Sequence, residues 1–184
     1  MGLSYSERAA RWRVPLGFAL GVAYLVLAQP TVRWLGIGAA IALAGLVVRG
    51  WAAGCLDKNQ RLATSGPYAY TRNPLYLGSL LLGLGFAAAG GSWPLGVAFL
   101  ALFLLVYWPV MRREEEFLRQ TFADVYDRYA ATVPFLFPRR FRSTSTDEKG
   151  ARFQWTRYKH NREYQAALGY LAGVVFLVLK LALR

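Results

Sequence analysis

The run LYLGSLLLGLGFAAAGGSWPLGVAFLALFLLVYWPV at residues 75–110 carries no charged side chain over 36 positions, and only Gly90-Gly91-Ser92-Trp93-Pro94 interrupts it. At 1.5 Å per residue, two helices of about 17 residues each would just cross a hydrocarbon core of about 30 Å. Gly-Gly and Pro94 are turn-forming punctuation, so the run predicts two membrane helices joined by a tight turn.

Three further apolar stretches flank this pair. Residues 14–28 hold no charge but are barely long enough, so that span needs its flanks. Residues 34–53 hold one charge, Arg49, near their end. Residues 166–179 form a fifth stretch that continues past Lys180, to span with the lysine snorkelling or to lie in the interface. The first stretch does not read as a signal peptide, because no small-residue cleavage site clearly follows it before the next span. The expected fold is all-α: an integral membrane protein of about five transmembrane helices.

Composition supports a membrane and excludes much else. Of 184 residues, 55% are hydrophobic and 17% charged, with 22 lysines and arginines against 10 acids. Soluble domains average about 25% charged residues. The excess of base could suggest nucleic acid, but such binders are rarely this apolar. A single cysteine, Cys55, rules out an intramolecular disulfide framework and a cysteine metal cluster, and a single histidine, His160, argues against a histidine-rich metal site. No metal and no nucleic-acid partner are expected. With the N-terminus cytoplasmic, 19 of the 22 basic residues fall on one face, leaving Arg33, Lys180 and Arg184 on the other. The positive-inside rule then orients the chain: N-terminus and both long polar segments in the cytoplasm. The expected location is a bacterial inner (cytoplasmic) membrane, with the chemistry at its cytoplasmic face. The spans carry no acid or base deep in the core, which argues against a channel or a charged-substrate transporter.

Three regions follow. Residues 1–59 form an N-terminal membrane region with two helices. Residues 60–142 form a core of two helices and an amphipathic helix. Residues 143–184 form a linker and a C-terminal membrane helix.

Two polar clusters flank the third and fourth spans. The first runs from Thr64 through Ser65-Gly66-Pro67-Tyr68 to Asn73-Pro74-Leu75-Tyr76 and Gly78. Asn73 followed by Pro74 reads as an N-cap and a first helical position, so these two residues have a purely structural explanation. Tyr68, Tyr70 and Tyr76 could be interfacial aromatics. Gly78, one turn into the helix, lets another helix or a ligand approach closely. The second cluster begins Arg112-Arg113-Glu114-Glu115-Glu116 and continues to Tyr129. Phe117, Leu118, Phe122, Val125, Tyr126 and Tyr129 recur at helical spacing, which predicts an amphipathic helix continuing from the membrane. Three adjacent acids at an anionic leaflet are explained if at least one meets a cationic ligand. Residues 133–138, VPFLFP, close the unit as a segment that proline keeps non-helical.

Together the two clusters resemble the isoprenylcysteine carboxyl methyltransferase family and its relatives, the phospholipid methyltransferases. The likeness covers residues 60–138, and its two halves occur in the right order, separated by two spans. It implies a membrane-embedded methyltransferase using S-adenosylmethionine, with a cytoplasmic-facing cofactor site and a lipophilic acceptor drawn from the bilayer. Carried over by position, Tyr68 and the Asn73-Pro74-Leu75-Tyr76 run would line the cofactor site beside Gly78. Gln60, Arg61, Leu62 and Ala63 would flank it through their backbone. Glu114, with Glu115 beside it, would hold the polar end, and Arg72 would meet the cofactor carboxylate. Methyl transfer from a sulfonium is a direct displacement that needs no metal and no covalent intermediate. The family motif usually has histidine where Asn73 stands. Its prenylcysteine enzymes place an arginine where Val110 stands, which leaves Arg112 and Arg113 as candidate catalytic substitutes on other helix faces.

Other readings are a phospholipid or small-thiol methyltransferase, a sterol-reductase-like enzyme, and a non-catalytic protein that keeps the fold. The reductase would need a longer chain and nicotinamide-phosphate contacts, for which no motif is present. In the non-catalytic case every aromatic and glycine above is packing.

Overall fold

The computed structural model describes residues 5–57, 61–138 and 153–183, and within them the chain forms helices and no strand. Helix α1 spans Tyr5–Leu27 and α2 spans Val32–Cys55. A 3-10 turn at Gly66–Ala69 precedes α3, Pro74–Ala89. Helix α4, Trp93–Leu102, passes through a π-helical turn at Phe103–Tyr107 directly into α5, Trp108–Thr132. A short helix α6, Trp155–His160, leads to α7, Tyr164–Ala182.

The expected helical hairpin is present, with one adjustment. The turn is Gly90-Gly91-Ser92, and Pro94 lies inside the first turn of α4, where its missing N–H is harmless. Gly91 has φ +62, and a Cβ there would stand 2.5 Å from the Gln29 carbonyl oxygen, so the turn needs glycine. Among the described residues, three helices are long and apolar enough to cross a membrane: Val32–Cys55, Trp93–Thr132, and Tyr164–Ala182. Val14–Leu27 and Pro74–Ala89 are shorter apolar helices. The fourth span thus runs directly into the amphipathic helix, which kinks at Ala123, where the backbone is non-helical (φ 41, ψ −125), and α7 has spanning length, as the C-terminal apolar stretch requires if it crosses.

Helices α2 and α3 form the centre, antiparallel along small residues. A Cβ on Gly45 would meet the Gly78 carbonyl oxygen at 2.6 Å, and one on Gly85 would meet the Ala42 Cα at 2.7 Å. Side-chain-free positions let the backbones touch, which is how helices gain contact where lipid offers no hydrophobic drive. On one flank α7 packs through Tyr170, whose hydroxyl donates to the Ala39 carbonyl at 3.2 Å, and through Leu177 beside Ala28 and Ala89. On the other flank α1 meets α4, the π turn and α5, with the Tyr5 hydroxyl donating to Leu105 O at 2.8 Å. Contacts fix which ends lie together. Gln29 N–H donates to Gly90 O at 2.6 Å, and Lys180 Nζ donates to Leu25 O and Val26 O at 2.7 and 3.0 Å. The far ends of α2 and α7 and the start of α3 therefore gather on the opposite side, with α5.

Candidate functional site

The polar end of α3 is built by the loop before it. Asn73 is the N-cap residue and Pro74 opens the helix, but the Asn73 side chain caps nothing. Its Nδ2 instead donates to the Phe135 carbonyl at 2.9 Å, and the Arg72 N–H donates to Pro134 O at 2.9 Å. The backbone of the Pro-bounded segment 133–138 thus rests against the start of α3. Pro134 and Pro138 keep that segment out of a helix, leaving its carbonyls open to such donors.

Two contacts join the halves of the motif. The Tyr76 hydroxyl donates to Glu114 Oε1 at 2.9 Å. Arg72 Nη1 pairs with Glu115 Oε1, while Arg112 Nη1 donates to Glu115 Oε2 at 3.0 Å. Glu115 is buried, Glu114 and Glu116 are exposed, and consecutive positions 100° apart on α5 make that difference. Two guanidiniums thus clasp one carboxylate through charge-assisted hydrogen bonds. The Arg112 guanidinium also sits 4.2 Å from the Phe135 ring and 5.4 Å from the Trp108 ring, with its side chain 54% exposed. Aromatic faces on a cation hold it without neutralising it. Arg72 Nε is buried and makes no hydrogen bond among the described residues.

The floor of the site is Tyr68. It is buried against Ala52 and Cys55 of α2, and its carbonyl accepts from the Tyr129 hydroxyl at 2.7 Å. Burial, and then the charges of Cys55, Glu114 and Glu163, push its phenol above the usual tyrosine value, so it stays neutral. A small open cleft of about 30 Å³ lies beside it, lined by Cys55, Asp57 and residues 61–65.

The other residues expected from sequence fall as follows. Arg61 is exposed and lines that cleft. Leu62 packs on Tyr126 and Tyr129, and Ala63 packs by Tyr68. Gln60 lies outside the described residues. Pro74 is fully buried, and the Leu75 carbonyl accepts from the Ser79 hydroxyl at 2.9 Å. Gly78 faces α2, where a Cβ would meet Gly45 O at 2.7 Å, so the close approach at this glycine is by a helix. Arg113 is exposed on α5. On the amphipathic face Leu118, Phe122, Tyr126 and Tyr129 pack inward, while Phe117 and Val125 are exposed.

Sequence reasoning missed Phe135, Trp108 and the partners of the C-terminal segment 153–164, which it expected to help cover the acceptor site. Arg49 pairs with Glu163, Arg157 with Asp57 at 3.1 Å, and Asn161 Nδ2 donates to Ala53 O and Leu56 O at 2.9 and 3.2 Å. A signal existed: a lone arginine in an apolar helix needs a partner, and Glu163 is the one acid in residues 153–164. The expected linker at residues 143–150 lies outside the described residues.

The arrangement offers a carboxylate rim at Glu114, tyrosine faces at Tyr76 and Tyr107 that meet edge to face at 6.2 Å, and a half-exposed guanidinium at Arg112. That set suits a ligand carrying both cationic and anionic groups. Among the described residues no group of three or more His, Cys, Asp or Glu side chains could hold a metal ion.

The phospholipid methyltransferase family profile matches residues 17–125. The chain is 34% identical over 143 residues to the cobalt-zinc-cadmium resistance protein CzcN of Cupriavidus metallidurans, covering 72% of this chain and 64% of that one. It is 33% identical over 151 residues to the nickel-cobalt-cadmium resistance protein NccN of Alcaligenes xylosoxydans xylosoxydans, covering 76% and 70%. It is 36% identical over 86 residues to the protein-S-isoprenylcysteine O-methyltransferase of Schizosaccharomyces pombe, covering 45% and 35%. The chain thus spans just under two thirds of the first of these relatives. No solved structure matches it.

Proposed function

The chain belongs to the phospholipid methyltransferase family, and from that premise we propose that it is a membrane-embedded methyltransferase using S-adenosylmethionine on a lipophilic acceptor, with its site toward the cytoplasm. The observation that carries the reading is the meeting of Tyr76 with Glu114 and of Arg72 with Glu115, which brings both halves of the motif to one place.

The residues present fit the cofactor. When bound, S-adenosylmethionine supplies an electrophilic methyl group on a sulfonium. Glu114 would hold the ammonium, oriented by Tyr76. The tyrosine faces of Tyr68 and Tyr76 would meet positive charge, and residues 61–63 would flank the ligand through the cleft. Arg72 is engaged by Glu115, so Arg112, with a fork only partly used, is the better placed guanidinium for an anionic group of cofactor or acceptor. Direct displacement asks the protein for alignment and a water-poor site, which the buried Tyr68 and Pro74 floor would supply.

The S. pombe relative's name favours an isoprenylcysteine-like acceptor, while the family description favours a phospholipid. The resistance in two relatives' names suggests the physiological setting of the reaction rather than its chemistry, since this transfer needs no bound metal.

Calorimetric titration of the detergent-purified protein with S-adenosylmethionine tests the reading. Binding is expected, weakened in Glu114→Gln and in Tyr76→Ala; no heat from the wild-type protein would overturn it. A labelled-methyl assay on lipid extracts would then identify the acceptor.

A further inference from the structure

The C-terminal segment lies outside the family match, which ends at residue 125, yet it reaches the site. Glu163 is buried, and its two oxygens accept from Arg49 Nε at 2.5 Å and Nη2 at 3.0 Å. The third nitrogen of that guanidinium, Nη1, points away from Glu163 into α3. It donates to Ser79 Oγ and reaches Leu75 O at 3.5 Å. Leu75 and Ser79 bracket the turn that carries Tyr76, and Tyr76 is the residue that holds Glu114.

A planar guanidinium has its donors in a fixed fork, so orienting one edge orients the other. Glu163 therefore sets the direction in which Nη1 grips α3. The delivery of Glu163 is itself tightly constrained. Arg162 before it has φ +55, a conformation a non-glycine residue keeps only where its surroundings impose it. Asn161 is anchored to two carbonyls at the end of α2, and Gln154 N–H donates to Gly54 O at 3.0 Å. The α7 N-terminus, where Glu163 sits, adds a favourable dipole for its carboxylate.

We propose that the Arg49–Glu163 ion pair is a positioning pair for Tyr76: the C-terminal segment sets the first turn of α3 and so tunes how firmly Glu114 and Tyr76 hold the cofactor. The inference rests on the methyltransferase reading for its consequence, since Tyr76 matters to affinity only if the cofactor binds there. A fastening role alone would make Glu163 important for stability and leave Tyr76 untouched.

The experiment places 3-fluorotyrosine at position 76 and records its fluorine resonance in detergent, alongside titration with S-adenosylmethionine. Glu163→Gln is expected to shift or broaden the resonance and to raise the cofactor Kd about tenfold, with Glu163→Asp partly restoring both. Tyr170→Phe, which loosens α7 far from the site, is expected to lower the melting temperature without moving either readout. Should Glu163→Gln not fold, Ser79→Ala removes the grip on α3 while sparing the ion pair, and the same shift is expected. An unchanged resonance in a folded Glu163→Gln or Ser79→Ala protein would overturn the positioning role. Absence of cofactor binding by the wild-type protein would overturn the methyltransferase reading, and the fluorine signal would still decide this one.

Discussion

Arg72, in the loop before α3, and Glu115, on α5, form a buried ion pair across 43 residues of sequence, and Arg112 closes on the same carboxylate from the other side. One carboxylate thus offsets two guanidiniums, one of them mostly buried. Its neighbour Glu114 is exposed and has Tyr76 as its partner. The two glutamates therefore differ in kind, and substitution should separate them. Glu115→Gln leaves two cations facing each other with no anion, a loss of roughly 3 kcal/mol for a broken buried pair. Glu114→Gln should change stability by less than about 1 kcal/mol while weakening cofactor binding. Thermal melts in detergent with matched titrations check both; equal melting temperatures for the two variants would show this division to be wrong.

Asn73 acts through Phe135. Its side chain holds the carbonyl of the residue whose ring lies on Arg112. Asn73→Ala should cost about 1 kcal/mol and free the 133–138 segment, read as faster amide exchange there. Asn73→His keeps an N–H donor, so it should retain more stability than the alanine variant. It should also add an inflection near pH 6.5, the usual histidine value, to the pH profile of binding. The unsubstituted protein should lack that inflection.

Glycines separate by what they face. A Cβ at Gly78 would meet Gly45 O at 2.7 Å, whereas one at Gly36 would meet nothing within 4 Å. Gly78→Ala should force α2 and α3 apart and destabilise by about 1–3 kcal/mol, as overpacking does. Gly36→Ala should be neutral or slightly stabilising, because alanine is the better helix former. Denaturation of the two variants in the same detergent is the comparison, and a Gly78→Ala protein as stable as the Gly36→Ala protein would refute it.

Much of this was legible in the sequence because it is local. Pro74 after Asn73, the Gly90-Gly91 turn and the continuation of the fourth span into an amphipathic helix follow from short-range rules, and the helices obey them. What was not legible depends on phase and on distant partners. Which of three consecutive glutamates turns inward depends on the rotation of α5, and the π turn at Phe103–Tyr107 resets that rotation without a sequence signal. The Asn73 side chain was expected at a cap and went to Phe135, since a tertiary acceptor was in reach. The Arg49–Glu163 pair joins residues 114 apart, and only its unpaired charges hint at it.

Tyr68 gives a pH prediction whose sign is fixed by its surroundings. Burial first, and then negative charge at Cys55, Glu114 and Glu163, raise its phenol above the ordinary value of about 10. The folded state therefore holds that proton at pH values where the unfolded chain has lost it. Its contribution to stability is complete below about pH 10 and is lost as pH rises from there toward the raised folded value. Because Tyr68 packs on Ala52 and Cys55 and its carbonyl, not its hydroxyl, takes the bond from Tyr129, Tyr68→Phe should keep the fold. It should also reduce the loss of stability between about pH 10 and 11, where the native phenol begins to differ from the unfolded one. Denaturation midpoints at pH 8, 10 and 11 for both proteins measure this, and parallel alkaline declines would mean that Tyr68 is not the group responsible.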